Sequence, residues 1–148
     1  MQNKNLSEYI SELKSFINTN DYLPCIDLLL KAIKDYPHEE KLKLNLGNIY
    51  KMLDRKDEAI DVYASLLKTP FSSIANNNLS LIMLELGENQ KCIEYAREAL
   101  KSNKEYNDAK YNLAVGLFEH KEYLKSLDIC LELVEDSEYK NRAFELKI

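Results

Sequence analysis

Leucine recurs at Leu46, Leu79 and Leu113, 33 and 34 residues apart, and each is preceded by an asparagine: Asn45, Asn78 and Asn112. A second series keeps the same period. Cys25, Ala59, Cys92 and Ser126 stand 34, 33 and 34 apart, each followed by an aliphatic residue, Ile26, Ile60, Ile93 and Leu127. A fixed period of this length means one supersecondary unit made several times over, its apolar faces covered by stacking on neighbours. Both series lie in stretches with helical spacing, so the unit is a helical hairpin. A stack of hairpins presents a binding surface, and binding is the function the period predicts.

Taken in order, the first helix is predicted from Leu6 to about Asn18, with Tyr9, Leu13, Phe16 and Ile17 on one stripe. Its partner begins near Tyr22 and ends at Asp35, carrying Cys25, Ile26, Leu29, Ala32 and Ile33. Pro24 falls in its first turn, where the missing N–H would be unpaired anyway. From Glu39 to Leu53 the stripe Leu42, Leu46, Ile49, Tyr50 and Leu53 gives a helix with one buried face. The polar run Asp54 to Asp57 reverses the chain, and the next helix buries Ala59, Ile60, Tyr63, Leu66 and Leu67 before Pro70 closes it. A third pair is predicted over Ser73 to Leu86 and Asn89 to Ser102, and a fourth over Tyr106 to His120 and Glu122 to Asp136. Glu138 to Ile148 reads as one more helix, in phase with the rest because Ala143 stands 34 residues after Ala109, itself 34 after Ala75. It is either a capping helix or the start of a repeat cut short. Nothing reads as a strand or a linker.

Composition narrows the partners. The net charge of -5, with lysines interspersed among carboxylates, argues against nucleic acid and anionic membranes, both of which need a basic stripe. The N-terminus lacks the apolar core of a signal peptide, and no apolar run approaches the roughly 20 residues that span a bilayer. A cytoplasmic location is the expectation. The 3 cysteines, Cys25, Cys92 and Cys130, form no close pair and are expected to be buried, reduced thiols. His38 and His120 stand 82 residues apart with no ligand at metal spacing, and there is no glycine-rich phosphate loop. Neither catalysis nor a cofactor or metal is expected.

These residues resemble the tetratricopeptide repeat family over nearly the whole chain. The family's pattern of leucine, glycine and tyrosine in the first helix, then alanine, an aromatic and proline in the second, is best kept in Leu46, Gly47, Tyr50, Ala59, Tyr63 and Pro70. The next repeat keeps Leu79, Ala99 and a glycine turn at Gly87, with Ser80 and Cys92 at the small positions; the last keeps Leu113, with Ala114 and Ser126 there. Lys43, Asn76 and Lys110 replace the family's usual first aromatic. The resemblance implies an all-α, right-handed α-solenoid of tetratricopeptide helical hairpins with a C-terminal helix. It would be a single domain over residues 1–148, with repeats at about 6–39, 40–72, 73–106 and 107–140 and a capping or truncated helix at 138–148.

In such a stack the first helix of each pair lines the concave side, which implies a peptide-binding groove at Leu44, Asn45, Asn48, Asn78, Leu81, Tyr111, Asn112, Val115 and Phe118. An asparagine amide both donates and accepts, so a ladder of them can pair with the main chain of an extended peptide. The alternative is that these asparagines bond within the array. Leu81, Tyr111, Val115 and Phe118 form either a pocket for a partner's side chain or a face packed against the tail or a missing fifth repeat. Members of the family that clamp the C-terminal carboxylate of chaperones place cations where this sequence has Leu44, Asp108 and Asn112, or Ile10 and Ile74 one repeat earlier, so that ligand is not expected. The function expected is a non-enzymatic interaction scaffold or adaptor for a protein or peptide ligand. The alternatives are the recognition domain of a larger modifying enzyme, such as a glycosyltransferase, truncated after Ile148, or a self-assembly module with the C-terminal helix joining copies in a homo-oligomer.

Overall fold

The computed structural model describes residues 4–134, which form eight helices and no strand. The predicted helix at 138–148 lies outside the described residues. The chain divides into two compact units, one ending at Phe71 and the other beginning at Ser72.

The first unit contains α1 (Leu6–Asn18), α2 (Leu23–Asp35), α3 (Glu40–Met52) and α4 (Lys56–Ala64). Each packs on the next along the chain. A capping box starts α1: Asn5 Oδ1 accepts the Glu8 N–H at 2.9 Å, and Glu8 Oε2 accepts the Asn5 N–H at 3.2 Å. The far end of α2 is tied back to this start, with Tyr9 donating to Asp35 Oδ2 at 2.5 Å and Tyr36 donating to the Lys4 carbonyl at 3.2 Å. The predicted stripes are buried at Tyr9, Leu13, Cys25, Ile26, Leu29 and Ala32, and at Leu42, Leu46, Ile49 and Tyr50. One expectation needs correcting. α4 ends at Ala64, not at Pro70, and the chain continues as tight turns in which the Leu66 N–H reaches only back to the Tyr63 carbonyl. The hydroxyls of Ser65 and Thr69 take the carbonyls of Val62 and Leu66, which competes with helical pairing. Leu66 is nevertheless fully buried from within that turn.

The second unit contains α5 (Ser72–Glu85), α6 (Asn89–Ser102), α7 (Asn107–Glu119) and α8 (Tyr123–Val134). Here α5 touches both α6 and α7, and every residue from Ala75 to Ser80 is buried. The core is built from Ile93, Ala96, Leu113 and Leu117, and from Ala114, Cys130 and Leu133. All three cysteines are free thiols and buried.

The period in the sequence reappears as one turn made four times. After α1, α3, α5 and α7 the second residue past the helix has positive φ: Asn20 (56°), Asp54 (58°), Gly87 (77°) and Lys121 (64°). The following N–H in each case returns to the helix, from Asp21 to Phe16, Arg55 to Tyr50, Glu88 to Met83 and Glu122 to Leu117, at 2.8 to 2.9 Å. This is the Schellman closure, which satisfies carbonyls that the helix end leaves unpaired. It fixes the path from the first helix of a hairpin to the second.

Candidate functional site

The small residues that carry the repeat are small because something lies on them. A Cβ placed on Gly47 would stand 2.7 Å from Cε1 of Tyr63, a ring that is itself completely buried. The Tyr63 hydroxyl donates to Asn48 Oδ1 at 2.6 Å, and burial pushes its phenol well above the ordinary range. Asn48, expected to meet a ligand, therefore spends its carbonyl on holding this ring inside the α3–α4 hairpin. Leu44 departs from expectation as well, being buried.

In the second unit the asparagines turn inward. Asn112 is 5% exposed, and its amide donates to Asn77 Oδ1 at 3.0 Å and to Ser80 Oγ at 3.1 Å. Ser80 in turn donates to the Asn77 carbonyl, and Asn77 Nδ2 donates to the Tyr106 hydroxyl at 3.3 Å. The Cys92 thiol donates to the Asn112 carbonyl at 3.5 Å, and burial raises that thiol to about 11. Asn78 is buried too. No buried side-chain nitrogen or oxygen is left unsatisfied among the described residues. Asn112 thus joins α7 to α5, since a buried amide must find its partners inside the protein. The apolar candidates also face their own fold: Tyr111 packs on the cluster of Ala114, Cys130 and Leu133, and the Phe118 ring meets that of Tyr123 edge-on at 5.3 Å. Val115 and Leu81 are half-buried.

Asn45 behaves differently. It is half-buried, its side chain makes no hydrogen bond among the described residues, and it lines a cavity of about 420 Å³ within the first unit. One wall is α1, through Leu6, Ile10, Leu13, Lys14 and Ile17; the other is α3, through Lys41, Leu42 and Asn45, with Glu39 beside it. This α1 face is absent from the groove expected from the repeat pattern, in which Ile17 belongs to the buried stripe. Ile17 is 37% exposed, as is Ile10. The available signal was the spacing of Ile10, Lys14 and Ile17, which puts three side chains on one face of α1 beside the buried stripe.

The described residues include no group of three or more His, Cys, Asp or Glu able to hold a metal ion, and no helix among them is long and apolar enough to cross a membrane.

Comparison with known proteins fits this arrangement. No curated protein matches the sequence. Solved structures do. The MamA protein shares 20% identity at a TM-score of 0.83, covering 95% of this chain and 77% of its own. A tetratricopeptide repeat protein from Parabacteroides merdae ATCC 43184 shares 23% identity at 0.84, and this chain spans 57% of its length. YrrB, described as a TPR protein with an unusual peptide-binding site, shares 16% identity at 0.76, covering 93% of this chain and 72% of its own. Repeated hairpins closed by one turn and packed through small residues define an all-α helical-hairpin solenoid. Residues 42–72 and residues 74–106 each match a tetratricopeptide repeat family, and the chain is a tetratricopeptide repeat protein, a protein-interaction scaffold.

Proposed function

We propose that this scaffold is a non-enzymatic adaptor, cytoplasmic and without nucleic-acid partners, that binds a peptide segment of another protein in the α1–α3 cavity with Asn45 at its centre. The carrying observation is that Asn45 has both an amide donor and a carbonyl acceptor unengaged in a cavity wall, where Asn48 has its side-chain carbonyl and Asn112 its amide nitrogen committed to the fold. Such an amide pairs with a peptide main chain whatever the peptide's side chains. The description of YrrB as peptide-binding lends support to a peptide ligand. The test compares Asn45→Ala with Asn112→Ala against a panel of peptides by fluorescence anisotropy. Asn45→Ala should weaken binding with the melting temperature unchanged. Asn112→Ala should instead lower stability by about 1–3 kcal/mol, the usual cost of orphaning buried partners. Unchanged affinity in a folded Asn45→Ala protein would dismiss the assignment.

Self-association is a second reading, favoured by α8, which exposes Leu124, Leu127 and Leu131 along one side. A molar mass independent of concentration in light scattering would remove it.

A further inference from the structure

We infer that the α1–α3 cavity takes an aliphatic side chain from an internal acidic stretch of the partner, with Asp or Glu carboxylates on either side of it meeting Lys14 and Lys41. The inference rests on the peptide-binding reading and names its ligand. The floor is apolar, since Leu13 of α1 and Leu42 of α3 are buried there. At the mouth stand Ile10 and Ile17, two turns apart on α1 and both partly open to water, with Lys14 between them. Apolar groups held open at the edge of an apolar hollow lose water when an aliphatic side chain enters. The volume of about 420 Å³ lies within the range of roughly 300–1,000 Å³ typical of ligand pockets.

Charge selects among aliphatic partners. Carboxylates outnumber Lys and Arg by 25 to 20 in this chain, and Lys4, Lys56, Lys101, Lys110 and Lys125 each sit against one. Lys14 and Lys41 make no such pair among the described residues; both line the cavity, and among its lining residues they outnumber the single carboxylate, Glu39. The rim is therefore locally positive on a protein that is negative as a whole, and it repels basic peptides while accepting acidic ones. The two ammonium groups come from opposite walls, so two carboxylates flanking the seated side chain match them better than a single terminal carboxylate. Asn45 then faces the peptide main chain between them.

The test pans the full chain against a random peptide library displayed internally, with no free C-terminus, and in parallel against a C-terminally displayed one. Enrichment of Leu or Ile flanked by Asp or Glu in the internal library is the expected result. Synthetic peptides of that sequence, blocked at both ends, should bind at least about tenfold more weakly to Lys14→Glu/Lys41→Glu and to Ile10→Asp, and the doubly reversed variant should now bind the Lys-flanked version. These are surface positions, and circular dichroism confirms the fold of each variant. Enrichment of basic or aromatic sequences, or only of free C-termini, or binding indifferent to these substitutions, overturns the inference while leaving peptide binding standing. A library that enriches nothing overturns both.

Discussion

At the scale of single residues, the repeat's signature positions are records of contact distance. Gly47 has no Cβ because the Tyr63 ring occupies its place, and that ring is pinned by burial and by Asn48. Gly47→Ala should therefore destabilise the protein by about 1–3 kcal/mol through overpacking, outweighing the gain of roughly 0.5–1 kcal/mol that alanine normally brings to a helix. Urea unfolding followed by circular dichroism measures the difference. Tyr9 supplies a pH dependence. Its phenol is raised from 10.0 to about 12, first because ionisation would lose the hydrogen bond donated to Asp35, then through desolvation. A group whose folded pKa is raised stabilises fully below the unfolded value and ceases to do so as pH climbs through the folded one. The stability advantage of the wild type over Tyr9→Phe should thus be constant up to pH about 10 and shrink between there and about 12. Melting temperatures of the pair across that window read this directly, and a constant gap would contradict it.

At the scale of elements, what repeats most faithfully is the turn between the two helices of each hairpin. Asn20, Asp54, Gly87 and Lys121 occupy the same left-handed conformation at the sequence period, although only one of them is glycine. Asparagine and aspartate tolerate that region through local hydrogen bonding; lysine has no such compensation. Lys121→Gly should raise stability by up to about 1 kcal/mol, visible as a higher melting temperature. An unchanged or lower value would mean that the Lys121 side chain contributes more than its backbone strain costs. The same comparison shows how elements decide a residue's role. Asn48, Asn78 and Asn112 lie on the first helices as the sequence pattern implied, yet Asn48 is taken by a tyrosine of the partner helix and Asn112 by the polar group of α5. A helical wheel places a side chain on a face; it does not say whether a neighbouring helix has already satisfied it.

At the scale of the molecule, the excess of carboxylates over cations supports the proposal that nucleic acids are not among its partners. With a net charge of -5, it should pass through immobilised heparin without retention even at low ionic strength. Retention there would point to a basic face and count against that proposal. By itself the sequence determined the repeat, the eight described helices to within a residue or two at most of their ends, and the small residues at the crossings. These are legible because a buried stripe at helical spacing and a fixed period leave one economical way to bury apolar surface. The early end of α4 was not legible, since it depends on side-chain hydroxyls capturing carbonyls, which spacing does not encode. Only the tertiary structure decided which asparagine is left over. Asn45, Asn78 and Asn112 are equivalent as letters in a period, and they differ because an amide's availability is set by what other elements bring within about 3 Å of it, a distance that exists only after packing.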